Sequence, residues 1–175
     1  MGEIKFTILE EKLFHELDEP FRSRALLCAY RLRERFAQDP TVKVIVRDAY
    51  RDTDRQEALF RQGRVLSKDG KTWVLPPPTE RHIPVVTRAK GGQSPHEYRR
   101  AIHLILIDTA TRAWLKDRDK RWLDIGGVVS TVEHVKWGGN FQRLRDYAHI
   151  ECADWRELAI RRGWVGLGAD ERSPG

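Results

Sequence analysis

Cysteine is scarce in this chain: Cys28 and Cys152 are the only two among 175 residues. Neither belongs to a CxxC pair, which argues against a cysteine-built zinc site. Cys28 sits in an apolar stretch of helical pattern and Cys152 follows the segment 146–151. Two buried thiols in a reducing compartment are therefore the simpler expectation, with a disulfide left open. Long hydrophobic runs are absent too, and none reaches the roughly 20 apolar residues that span a bilayer. The opening MGEIKFTILEEKLF lacks a basic start, an apolar h-region and a small-residue cleavage site. No secretory signal is read there, and synthesis as a soluble cytoplasmic product is the expectation. There is no internal repeat and no low-complexity tract. The length fits a single domain over 1–175, with its core over about 20–162 and a C-terminal tail over 163–175.

Charge, by contrast, is abundant. A third of the residues (33%) are Asp, Glu, Lys or Arg, the formal net charge is +6, and the hydrophobic fraction of 40% is enough for a real core. A basic balance favours anionic partners, whether nucleic acid, anionic lipid or bacterial wall polymer, but does not choose among them. From charge alone, a soluble basic protein without electrostatic specialisation is the simplest reading.

Along the chain, residues 3–9 alternate loosely and predict a short strand or an extended arm. Phe21 to Phe36 carries apolar residues at helical spacing with arginines between them, which predicts an amphipathic helix ended by Asp39-Pro40. VKVIV at 42–46 predicts a strand, and 48–52 a turn. Asp52 to Asp54 offer N-caps for a helix through Gln56 and Phe60, with Gly63 just past its end. Residues 65–81, with Asp69-Gly70 and three consecutive prolines, predict a surface loop, with a small hairpin around Trp73, that walls a groove. Leu104–Ile107 predicts a buried central strand, 125–135 a helix with an imperfect interior, 149–151 a short strand and 154–162 a closing helix. Residues 169–175 are expected to fray.

The chemistry concentrates in Lys90–His103, KGGQSPHEYRRAIH, which holds His96 and His103, and in Asp146–Glu151, which holds His149. A histidine taken alone is more often structural or solvated, and His15, His82 and His134 are read that way. Three segments give the others a context. The first is Ala49-Tyr50-Arg51-Asp52 followed by Gln56, Leu59, Phe60, Gln62, Gly63 and Arg64. The second runs from Val86-Thr87 through Lys90 to His96. The third joins Trp137-Gly138-Gly139-Asn140-Phe141 to Asp146, His149 and Glu151. In this order, over roughly residues 20–155, they resemble the M15 peptidases. These are zinc D,D- and L,D-peptidases of bacterial cell walls that include the L-alanyl-D-glutamate endopeptidases used as phage endolysins.

The resemblance implies an α+β fold, with a small antiparallel sheet flanked by helices. It implies one zinc ion held by His96, His103 and His149. Asp146 would be the general base, taking a proton from the attacking water and passing it to the leaving amine. Otherwise it is a surface aspartate at a turn. Arg51 would bind a substrate carboxylate or steady an oxyanion; otherwise it is one surface arginine among many. Gln93 and Ser94 would contact substrate or simply make a turn. Glu151 would support a ligand from behind or lie on a strand surface.

The sequence departs from the family at one place. In the family run HxxGxAxD the aspartate is a zinc ligand, and His103 stands at that position. Arg99 stands where the family has glycine, bringing bulk and positive charge near a cation. Three-histidine zinc sites are chemically sound. The implied function is a zinc-dependent peptidoglycan peptidase of the L-alanyl-D-glutamate endopeptidase type. It would work as a monomeric endolysin released to the wall or periplasm, with no nucleic-acid or membrane partner and no separate wall-binding domain. The alternatives are a D,D-carboxypeptidase or dipeptidase of the same family, and an inactive M15-like binding protein.

Overall fold

The computed structural model describes residues 4–161 and Gly163. The proposed tail over 163–175 lies outside the described residues apart from Gly163. The order of elements is α1 (Ile8–His15), α2 (Phe21–Arg35), β1 (Val42–Asp48), α3 (Thr53–Arg61), β2 (Val65–Leu66), β3 (Trp73–Val74), β4 (Ala101–Asp108), α4 (Trp122–Val129), β5 (Val135–Trp137), β6 (His149–Cys152) and α5 (Trp155–Arg161). The main sheet has four strands in the order β1-β4-β6-β5, every pair antiparallel. This is the α+β arrangement that the resemblance implied.

The strands sort their residues onto two faces by period-two alternation. Val42, Val44 and Val46 of β1 pair with Asp108, Leu106 and Leu104 of β4. Ile150 of β6 pairs with Ile102. Seven of these, Val42, Val44, Val46, Ile102, Leu104, Leu106 and Ile150, form one buried apolar face. Phe14, Phe21, Ala25, Leu32, Ile125 and Val129, from α1, α2 and α4, join the same core. The opposite face of β4 and β6 carries His103, His149 and Glu151.

Residues 4–7 form no strand, and the expected arm runs at Ile8 into a helix that the sequence did not predict. Thr7 and Glu10 form a reciprocal capping box that starts α1. α2, the Asp52 cap of α3 and the β2–β3 hairpin lie where the sequence predicts them. α4 starts at Trp122 and ends at Val129, earlier than its β-branched pattern indicated. It packs its Gly126 against the Trp137 ring, where an added Cβ would come within 2.5 Å of the indole.

Candidate metal centre

Antiparallel register builds the centre. His103 of β4 lies opposite His149 of β6 on one side and Asp48 of β1 on the other. The third histidine, His96, reaches the same point from the turn before β4. Its Nδ1 donates to the Ala49 carbonyl at 2.5 Å, directly after β1. The ligating nitrogens of the three imidazoles lie within 4.8 Å of one another. Ligands 2.0–2.1 Å from one tetrahedral ion stand about 3.4 Å apart, so small rotations close the set.

Hydrogen bonds decide which nitrogen each ring offers. A carbonyl only accepts, so His96 carries its hydrogen on Nδ1 and its lone pair on Nε2. That Nε2 is buried with no hydrogen-bond partner among the described residues. Such an orphan costs roughly 1–3 kcal/mol unless something occupies it. His149 donates from Nε2 to the Glu151 carboxylate at 3.0 Å, leaving Nδ1 facing His103 Nε2 at 3.2 Å. Glu151 is itself held by the Trp155 indole N–H at 3.2 Å. Burial, reinforced by His103, Arg51 and His149, holds His96 well below the ordinary imidazole range. Burial likewise lowers His103 to about 4, with Asp146 pulling against it and His149 and Arg51 adding to it. Both rings are neutral at pH 7, the form that a metal requires. The donor set, the orphaned nitrogen and the neutral rings all fit a transition-metal ion such as zinc.

Asp146 stands at the rim. Its Oδ2 is 3.5 Å from His103 Nε2 and its side chain is 41% exposed, so it can meet both the centre and solvent. Asp146 N donates to the Gly138 carbonyl and His149 N donates to the Asp146 carbonyl, each at 3.1 Å. The fit is close: a Cβ on Gly138 would lie 2.5 Å from the Asp146 carbonyl oxygen and 2.9 Å from His149 Cβ. Glycine is thus required for steric reasons in the Trp137-Gly138-Gly139 turn that carries these residues. A groove of about 350 Å³ opens beside Asp146, walled by Val86, Trp114, Leu144 and Tyr147. A larger and more open hollow of about 570 Å³ lies between α2 and α4, and none of the three histidines borders it.

Arg51 is buried and anchored. It donates from Nε to Asp48 at 2.7 Å, forms an ion pair with it through Nη2 at 2.5 Å, and donates from Nη1 to Gln56 at 3.2 Å. Gln56 in turn donates to the Ala89 carbonyl at 2.8 Å. These contacts fix the guanidinium plane. Gln93 and Ser94 serve the turn itself. The Gln93 side-chain Oε1 accepts from Lys90 N at 3.0 Å, and Ser94 N donates to the Glu97 carboxylate at 3.0 Å.

Arg99 corrects an expectation. Its backbone is left-handed, φ +59°, which explains why glycine suits this position. Its side chain leaves the centre, however. The guanidinium lies over the Tyr50 ring and donates to the Glu16 carbonyl at 2.9 Å.

A family model described as D-alanyl-D-alanine carboxypeptidase, of the M15_4 peptidase group, matches residues 87–152, the stretch that holds all three histidines and Asp146. The peptidoglycan L-alanyl-D-glutamate endopeptidase CwlK of Bacillus subtilis is 28% identical over 122 residues, covering 66% of this chain. Over residues 87–152 the chain is similar to the M15 peptidases. It spans 64% of the length of that curated relative. In fold, the chain is similar to the L-Ala D-Glu endopeptidase ChiX of Serratia marcescens. The TM-score is 0.53 at 17% identity, covering 90% of this chain and 96% of that one.

Sequence reasoning missed Asp48, read as part of a turn, and the Ala49 carbonyl that orients His96. No local signal marks either, because both act through strand pairing. Cys28 and Cys152 are buried free thiols, and burial raises Cys28 to about 12.

Proposed function

We propose that this chain is a zinc-dependent peptidase that hydrolyses a stem-peptide bond of bacterial peptidoglycan, of the L-alanyl-D-glutamate endopeptidase type. The observation that carries the reading is the convergence of three imidazole nitrogens, from His96, His103 and His149, beside the half-exposed carboxylate of Asp146. The endopeptidase names of the similar proteins support the choice of bond.

His96, His103 and His149 would hold the ion, and Glu151 and the Ala49 carbonyl would keep two of the rings in register. Zinc supplies Lewis acidity and makes a water acidic enough to attack an amide near neutral pH. Asp146 is the general base. Its carboxylate accepts the proton of the attacking water and returns it to the departing amine. Arg51, held in plane by Asp48 and Gln56, offers a fixed cation to a substrate carboxylate or to the developing oxyanion. Gln93 and Ser94 shape the turn beside His96, where substrate backbone would pass. The groove by Trp114 accommodates the chain on one side of the cut bond.

Endolysin-type delivery is the proposed setting: cytoplasmic synthesis, release to the wall, and action as a monomer on peptidoglycan rather than on nucleic acid or membrane. The formal charge of +6 suits an anionic wall polymer. The test incubates the zinc-loaded protein with purified sacculi and with defined muropeptides, and reads the products by mass spectrometry. A new amino terminus on D-glutamate is expected. Release of terminal D-alanine instead would make it a carboxypeptidase, in line with the family model's description. No cleavage by zinc-loaded protein would point to a binding module.

A further inference from the structure

Of the three imidazoles, two have the nitrogen that faces away from the centre backed by a strong acceptor: the Ala49 carbonyl for His96 and the Glu151 carboxylate for His149. For His103 the group in that position is Asp48, whose Oδ2 is 4.0 Å from Nδ1. That separation is an electrostatic contact rather than a hydrogen bond.

A bulge puts Asp48 there. β1 and β4 pair Val46 with Leu104, so unbroken antiparallel register would next set Arg47 against His103. The register instead shifts between Val46 and Asp48, and Asp48 becomes the partner of His103. A one-residue slip reverses which face a side chain occupies. Here it exchanges a guanidinium for a carboxylate beside the imidazole. Arg47 turns outward and lies over the Trp114 ring.

We propose that Asp48 is a positioning residue for His103, supplying from behind the ring the negative charge that a three-imidazole centre lacks. This rests on the zinc-peptidase reading above. When His103 offers Nε2 to a cation, its hydrogen resides on Nδ1, the atom that faces Asp48. A carboxylate there orients the ring and makes it a better donor. Asp48 also neutralises Arg51 and pairs with Arg55 at 3.2 Å.

The experiment measures zinc affinity by competition with a chromophoric chelator, and the visible spectrum of the Co²⁺-loaded protein. It is run on the wild type, Asp48→Asn, His103→Asp and the double variant. Asp48→Asn is expected to weaken zinc about 10–100-fold and to shift the Co²⁺ bands. In the His103→Asp background, where a carboxylate already faces the metal, the same change is expected to alter affinity by less than about 3-fold or to tighten it. Asp48→Asn leaves Arg51 buried and unpaired, so Asp48→Asn/Arg51→Gln, which removes both charges, guards against a folding failure. It is expected to keep the affinity loss. Wild-type affinity in Asp48→Asn, an equal loss in the His103→Asp background, or full recovery when Arg51 is also removed would each overturn the proposal while leaving the peptidase reading intact. A wild-type protein that binds no zinc would overturn both.

Discussion

Arg99 and Asp146 show how far a side chain's role depends on where it points. Arg99 sits where a left-handed backbone favours glycine, and its charge was expected to oppose a bound cation. Its guanidinium is instead spent on Tyr50 and the Glu16 carbonyl. Arg99→Gly should therefore change zinc affinity by less than about 3-fold. Its stability should move by no more than about 1 kcal/mol, since relief of the left-handed strain offsets the lost cation–π and hydrogen-bond contacts. Urea unfolding and chelator competition check both. A tenfold gain in affinity would mean that the charge does reach the centre. Asp146 lies 3.5 Å from His103 Nε2 but outside the three-histidine set. Asp146→Asn should lower kcat by about 10²–10⁴-fold with zinc content unchanged. Turnover on sacculi near the wild-type rate would assign the base elsewhere. His96, His149 and Asp146 were legible in the sequence because each lies within a short, chemically distinctive run. Asp48 was not, because its role comes from a bulge in a strand whose hydrophobic pattern looks regular.

Elements carry constraints that single residues do not reveal. Glu10 belongs to α1, yet its carboxylate caps Thr7, accepts from Val46 N of β1 at 3.1 Å and pairs with Arg33 of α2. It ties two helices to the sheet edge at a buried point. Burial alone would raise its pKa, but the hydrogen bonds from Thr7, Arg33 and Val46 outweigh it and hold the group below the ordinary carboxylate range. A carboxyl depressed in the folded state stabilises above its unfolded pKa and loses that contribution as pH falls through the folded value. Glu10→Gln should cost about 3 kcal/mol near neutral pH. The gap from wild type should narrow below about pH 4.5. Denaturant titrations at pH 7 and pH 3.5 measure it, and a gap independent of pH would show that the charge is not what binds the elements. The sequence missed this helix because a short amphipathic segment with a capping box reads as loose alternation when its partners are unknown. At the other end of the sheet, Gly138→Ala must push the Asp146 carbonyl and His149 apart. It should lose most bound zinc and activity, whereas Gly127→Ala, with nothing among the described residues within 4 Å of the added methyl, should keep both. Equal zinc retention in the two would show that the turn has room that its packing denies.

For the molecule as a whole, the core and the centre occupy opposite faces of the same sheet. Phe21, Leu32, Leu104, Leu106 and Ile125 are buried on the helical side, and none depends on an ion. Folding should therefore not require zinc, unlike small domains whose core is the metal site. Zinc should still stabilise, because it binds only the arrangement in which strand pairing sets His103 opposite His149 and the turn after β1 holds His96. At a free zinc concentration of 100 times Kd the gain is about 2.7 kcal/mol. For a chain of this size that corresponds to a rise in Tm of roughly 5–10 °C. Calorimetric scans of chelator-treated and zinc-reloaded protein should show a cooperative transition in both, the reloaded one higher, with wall hydrolysis only in the latter. His96→Ala should abolish the difference between the scans. It should also leave the metal-free transition little lowered, because the lost ring removes a buried unpaired nitrogen along with its packing. A metal-free protein without a cooperative transition would mean that the ion, not the apolar face, organises the sheet.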